Sequence, residues 1–189
     1  MKLSILIPSV PSRREKAAKL FDKLSQQTGT ADVEILMLLD NKKRSIGLKR
    51  QALLDVALGD YVAFVDDDDD VLNGYVQSVF HVILAAAAYT PDVVVFDSYC
   101  TLNDGPPVLV SHSLFNPNEQ YNLAGFRRAA WHIHAWKREL AVQSRFPDQG
   151  GTEDWAWAEP LNRMAKTQIK IDIPLYHYRF NSKTTEAPK

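Results

Sequence analysis

Short apolar runs alternate with helix-spaced apolar positions along the first half of this chain, and that alternation restricts the fold more than any other feature. Residues 3–7 read as a buried strand, with Pro8 and Pro11 marking the turn that follows. Over residues 12–27, Ala17, Leu20, Phe21 and Leu24 share one helical face, and Ser12 with Glu15 has the spacing of a capping box. A second apolar strand ends at Asp40. A basic loop follows it, then a helix containing residues 51–58 and closed by Gly59. Residues 61–65 form a third strand. Tyr75, Val76, Val79, Phe80, Ile83 and Leu84 return to helical spacing, Pro91 interrupts, and residues 92–99 are apolar again. Strands that alternate with helices in this way predict an α/β fold, a parallel sheet covered by helices.

At 189 residues the chain suits one domain, and no repeat, low-complexity linker or break in composition divides it. With 46% hydrophobic residues and a net charge of -1, disorder and collagen-like structure are excluded. The near-neutral charge argues against wholesale electrostatic binding to nucleic acid, although a local basic patch could still serve. Cys100 is the single cysteine, so it has no internal disulfide partner; it reads as a small buried apolar residue in a reducing compartment. The opening MKLSILIP is too short for a signal peptide or membrane span. VFHVILAAAAY contains His81 and is cut off by Pro91, so no span and a cytoplasmic location are expected. From Thr101 onward periodicity fades until QIKIDIPLYHYRF offers short strands. This half is expected to fold over a sheet edge and build part of a site.

Five consecutive aspartates, 66–70, leave the third strand, and Asp40 leaves the second. In parallel α/β sheets the loops at the carboxyl ends of strands face a common crevice where ligands bind. Carboxylates crowded beside an apolar core repel one another, and a nearby cation would relieve them. Oxygen-only ligands suit Mg²⁺ or Mn²⁺, and Mg²⁺ takes one or two protein carboxylates together with substrate phosphates, which implies a phosphate-bearing ligand. The bland alternative is a solvated acidic loop.

The stretch GDYVAFVDDDD, residues 59–69, resembles the GEYIxFLDxDD signature of family 2 glycosyltransferases with the GT-A fold, in which a DxD motif carries the metal and the donor diphosphate. The match implies Asp66 and Asp68 as that pair, Asp68 foremost as metal ligand, with Asp67 and Asp70 peripheral; a run of five lets the register slide by one. Pro8 and Ser9 look like the family's nucleotide-binding turn, and Asp40 stands where its uracil- or ribose-recognising aspartate does. Residues 46–51, IGLKRQ, resemble its GxxxARN segment, with Lys49 in place of Ala and Gln51 in place of Asn. Arg50 could pair with the diphosphate there, or be a solvated helix charge. GGTEDWAW, residues 150–157, looks like the ED motif near the acceptor. It implies Asp154 as general base with Glu153 beside it, although Thr152 and Glu153 also suit a plain helix start. Trp155 and Trp157 could stack on a sugar or fill the core. LYHYR, residues 175–179, is similar to the closing strand, in which His177 could complete the metal shell, or simply pack or face the surface, and Arg179 touch phosphate.

The resemblance therefore implies a Rossmann-like GT-A fold, a three-layer αβα sandwich with a mostly parallel central sheet. Residues 1–100 would be the nucleotide-sugar-binding half and 101–189 the acceptor-side half of one bare catalytic domain. The implied activity is metal-dependent inverting transfer from a nucleoside-diphosphate sugar, a UDP-sugar foremost, to an acceptor hydroxyl, with Mn²⁺ or Mg²⁺ as cofactor. The acceptor would be a glycan or, as in the small phage-encoded enzymes this chain also resembles, a hydroxymethylated base in DNA, which would place it in the host cytoplasm. FRRAAWHIHAWKRE, residues 126–139, mixes basic and aromatic groups. It could grip nucleic acid, an anionic lipid head group or a glycan, or be a solvated helix face that buries its tryptophans.

Two rival classes share these features. Residues 93–104 resemble the first motif of haloacid dehalogenase-like hydrolases, with Asp97 as nucleophile and Thr101 behind it. Cys100 stands where that family has glycine, and a lysine and a later acidic pair would be needed. A non-catalytic module that binds a sugar nucleotide could retain the same fold.

Overall fold

Every residue from Leu3 to Ser9 is buried, which a strand achieves only with neighbours at both edges and cover on both faces. The computed structural model of the protein describes residues 2–29, 32–117, 119–122 and 125–182. In it, this strand, β1 (Leu3–Ser9), is followed by α1 (Arg14–Thr28), β2 (Val33–Leu39), α2 (Ile46–Val56) and β3 (Tyr61–Phe64). β1 pairs in parallel with β2 on one edge and β3 on the other. The aspartates then turn into a two-residue strand, β4 (Asp70–Val71), and α3 (Tyr75–Ala85) leads to β5 (Val93–Leu102). The second half supplies β6 (Val108–His112), β7 (Glu119–Asn122), β8 (Gly125–Arg128), β9 (Ala135–Lys137), α4 (Arg138–Ala141), α5 (Glu153–Met164) and β10 (Gln168–Phe180).

Alternation along β1 divides the core into two layers, because successive strand residues point to opposite faces. Leu3, Ile5 and Ile7 pack with Leu20 and Leu24 of α1 and Val76 and Val79 of α3. Leu6 packs on the other side with Leu53 and Leu54 of α2, Ala141 of α4, and Trp157 and Leu161 of α5. The product is a helix-sheet-helix sandwich whose longest ladders, β1 with β2 and β5 with β10, are parallel.

The sheet order is β2-β1-β3-β9-β5-β6-β8-β7, so the irregular half does more than cover an edge. β9 enters the middle of the sheet, antiparallel to both β3 and β5. β10, expected as short strands, is one strand of 13 residues with register breaks around Pro174. No helix among the described residues is long and apolar enough to cross a membrane.

Three local expectations are corrected. Ser12 and Glu15 form no capping box: Pro11–Arg13 make a 3-10 turn, and Arg13 precedes α1 without a side-chain cap. Next, α2 starts earlier than expected, with Ser45 Oγ accepting from the Leu48 N–H at 3.2 Å, and it ends at Val56. Gly59 is therefore no helix cap. It lets the chain pass β1 closely, since a Cβ there would lie 2.5 Å from the Ser4 nitrogen. Finally, residues 126–139 are no solvated helix. They contain β9 and bury His132, His134 and Trp136.

His134 shows how that segment is tied down. The Trp131 N–H donates to its Nδ1 at 2.7 Å, and Nε2 lies 3.1 Å from the Phe96 carbonyl oxygen, so the neutral Nε2–H ring satisfies both neighbours. Burial pushes His134 down to about 3, and His112, with ring centroids 4.7 Å apart, is held well below its ordinary value by burial and by His134. Histidines depressed in the fold take protons first in the unfolded chain, so stability present above their ordinary value of 6.5 drains as pH falls from there toward 3. Urea midpoints should therefore fall steadily between about pH 6.5 and 4.5. A flat profile across that range would contradict the neutral, buried pair.

Candidate active site

The carboxyl ends of β1 and β3, the basic loop before α2 and the start of α5 open onto one cleft of about 970 Å³, the size of small-ligand sites. Gly47 brings its walls together: a Cβ there would run into the carbonyl of Pro147, so the first turn of α2 can sit against the loop that leads to α5. The Gly47 N–H donates to the Gln149 carbonyl at 3.1 Å.

The floor is a network of charges. Arg50, buried on α2, places Nη2 2.7 Å from Asp66 Oδ1 and Nε 3.2 Å from Glu153 Oε1. His132 sits between Asp66 and Asp154, with Nε2 3.3 Å from Asp66 Oδ2 and Nδ1 3.4 Å from Asp154 Oδ2. Burial alone would raise the Asp66 carboxyl, but Arg50 and His132 hold it below the usual carboxylate range. Asp154 stands in the first turn of α5, where the helix dipole favours a negative charge; its Oδ1 accepts from the Trp155 N–H at 2.7 Å.

The wall formed by the ends of β1 and β3 is organised differently. Ser9 Oγ donates to Asp67 at 2.8 Å, and the fork of Arg13 reaches Asp67 and Asp68 at 2.9 Å each. Lys49 is buried and ties two strand ends together, donating to the Ser9 carbonyl and pairing with Asp40, both at 2.9 Å. Tyr176 donates to Asp69 at 2.7 Å and accepts from the Asp66 N–H at 3.1 Å. Arg179 donates its N–H to Asp69 and its guanidinium to Asp70, which Lys23 also meets at 2.6 Å.

These positions sort the residues singled out in the sequence. Pro8, Ser9, Arg50, Asp66, Asp68, Glu153, Asp154 and Arg179 all line the cleft. Asp40 stands behind Lys49 and is not among the lining residues. His177 is also outside: strand alternation turns Tyr176 and Tyr178 toward the aspartates and His177 onto Thr101, 2.7 Å from its hydroxyl. The structure thus does not bring it to Asp66 and Asp68. Glu153, expected beside Asp154 in the chemistry, is buried against Arg50, and the Arg50 fork expected for phosphate is occupied by Asp66 and Glu153. Asp67, expected to be peripheral, is the buried anchor of Arg13. Trp157 fills the core, stacked on Phe146 with centroids 4.7 Å apart, whereas Trp155 lines the cleft. Sequence reasoning missed Arg13, Lys49, Tyr176 and His132 as parts of the site. Lys49 and His132 sat in motifs already singled out, but nothing in their spacing revealed that they are buried.

Asp66 and Asp68 offer oxygen ligands of the type that Mg²⁺ or Mn²⁺ takes. Burial pushes the Asp68 carboxyl up to about 6, with Asp66 and Asp67 adding to it and Arg13 opposing. That is the crowding a cation relieves. Among the described residues no three His, Cys, Asp or Glu side chains form a ready-made cage, so such an ion would take Asp68 and Asp66 and complete its shell with ligand phosphates.

No protein-family model and no curated protein matches the sequence. Its fold is nevertheless shared with S. aureus TarS. The structure of TarS 1–349 in complex with UDP-GlcNAc superposes with a TM-score of 0.69 at 16% identity, over 99% of this chain and 62% of that one. The UDP complex gives 0.67 at 17% identity over 95% and 61%, and the longer TarS structure 0.70 at 16% over 95% and 37%. The chain thus spans less than two thirds of the structures it matches. The shared architecture is the GT-A fold, a mixed α/β sandwich with helices on both faces of a mostly parallel sheet. Asp97 is a cross-strand tie, 2.8 Å from Lys170 and accepting from the His112 N–H at 3.0 Å, away from the cleft.

Proposed function

We propose that this protein is a metal-dependent inverting glycosyltransferase that uses a nucleoside-diphosphate sugar, with a UDP-sugar as the first candidate. One observation carries the reading: the acidic strand end around Asp68 and the helix-start carboxylate Asp154 face a single cleft, in a fold whose relative TarS was crystallised with UDP-GlcNAc. In this reading residues 1–100 hold the donor and 101–189 face the acceptor.

Pro8, Ser9 and the basic loop before α2 line the side that would receive the nucleotide, and the exposed guanidinium of Arg179 can reach a diphosphate oxygen. Asp68 and Asp66 would hold Mn²⁺ or Mg²⁺, which when bound neutralises charge on the departing diphosphate. Asp154 accepts the proton of the acceptor hydroxyl as that oxygen bonds to the anomeric carbon. The carbon–oxygen bond to the diphosphate breaks in the same displacement, its electron pair leaving with the nucleotide, so the anomeric configuration inverts. Trp155, Trp131 and Tyr178 line the same cleft and offer flat surfaces to a sugar ring. A glycan acceptor suits them, and a modified DNA base is the competing one.

The test is release of UDP from UDP-GlcNAc in the presence of Mn²⁺. Asp68→Ala should lower the metal-dependent rate at least about tenfold, since metal stabilisation of developing charge is worth several kcal/mol. Equal rates in the two proteins would mean that the acid run does not serve the chemistry. Binding of UDP without turnover would favour a non-catalytic module.

A further inference from the structure

We propose that His132 is a positioning residue that fixes Asp154 relative to Asp66, so that the proton acceptor and the donor-side carboxylate move as one unit. This rests on the glycosyltransferase reading and adds to it a residue from a segment that the sequence assigns to binding or to a solvated helix.

The imidazole is buried, and its two nitrogens face carboxylates that belong to opposite parts of the chain: Asp66 follows β3, and Asp154 begins α5. A ring with a nitrogen on each side can meet two oxygens at once. The Nδ1 contact, at 3.4 Å, has ion-pair distance without hydrogen-bond alignment, so a buried polar atom is aimed at Asp154 and has no hydrogen-bond partner among the described residues. The Asp154 carboxylate thus accepts from the Trp155 N–H at Oδ1 and has His132 Nδ1 beside Oδ2 at 3.4 Å.

The backbone around His132 is pinned as firmly. The Phe64 N–H, two residues before Asp66, donates to the His132 carbonyl at 3.0 Å. Trp131 packs edge-on against the imidazole with centroids 4.5 Å apart, and Trp131 is itself held by His134. Locked second-layer contacts of this kind hold a reacting group within the narrow geometry that catalysis needs. Arg50 closes the loop from the other side, joining Asp66 to Glu153, the residue before Asp154. Two adjacent residues of α5 are therefore tied to the same aspartate through different side chains.

The experiment compares wild type, His132→Phe and His132→Gln in hydrolysis of a panel of UDP-, GDP- and dTDP-sugars with Mn²⁺, with water as the acceptor. His132→Phe should lower kcat by roughly 10- to 100-fold, the scale of a misplacement near 1 Å, while KM for the donor and binding of Mn²⁺ with UDP change less than about twofold. His132→Gln, which keeps a polar contact to one carboxylate, should recover part of the rate. Should His132→Phe fail to fold by circular dichroism, the Gln variant decides alone, with a kcat loss at constant KM as the supporting result. Wild-type kcat in either folded variant, or kcat and KM failing together, overturns the inference and leaves the enzyme reading intact. No turnover of any donor by the wild type overturns both.

Discussion

Replacing Asp154 with asparagine should lower turnover of the sugar nucleotide by about 10²- to 10⁴-fold, the usual worth of a positioned general base, and leave KM for the donor nearly unchanged. Asparagine has the same shape, and its amide oxygen can still accept from the Trp155 N–H, which meets the aspartate at 2.7 Å. What it cannot do is take a proton. The variant should therefore fold normally and bind donor normally, so the whole loss falls on the chemical step. Steady-state kinetics with UDP-GlcNAc and Mn²⁺, together with a thermal melt, separates these quantities. An Asp154→Asn protein with wild-type kcat would place the base elsewhere in the cleft.

Arg50→Met should destabilise the protein by about 3–5 kcal/mol, because removing one partner leaves buried charge uncompensated. Both Asp66 and Glu153 lose their guanidinium, and Arg50 is the one cation that pairs with the buried Glu153 among the described residues. Lysine is no substitute, since one ammonium cannot reproduce contacts made from Nη2 and Nε of a rigid fork. The double variant Arg50→Met/Glu153→Gln should regain part of the loss, as residues in one network couple. Urea midpoints check both results. Had Arg50 served only as a phosphate contact at the cleft surface, the single variant would be nearly as stable as wild type.

The alternation of strands and helices was legible because β1 and β3 are short, nearly continuous apolar runs while the faces of α1 and α3 keep the 3.6-residue period. The acid run and the start of α5 were legible because they combine chemistry-bearing residues with recognisable spacing. What stayed hidden were contacts across the fold. Lys49 and Arg50 look like solvated helix charges until the end of β1 and the start of α5 close over them. His132 is in a segment whose basic residues suggest a surface, yet Ala129, Ala130, Ile133 and Ala135 around it are buried, and that apolar framing was the available signal. His177 could be read either as a metal ligand or as a packing residue, and its direction was hidden because one step along a strand reverses the direction of a side chain.

The short antiparallel insertion at the centre of the sheet has a consequence for assembly of the chain. Val62 and Val93 both meet Trp136, a residue that emerges from synthesis well after either of them. Until it arrives, the nascent protein has two unpaired strand margins facing each other across a gap, a configuration prone to pairing with other molecules. The first hundred residues are thus unsuited to an independent life: the portion that would grip a nucleotide is completed only when its counterpart threads between β3 and β5.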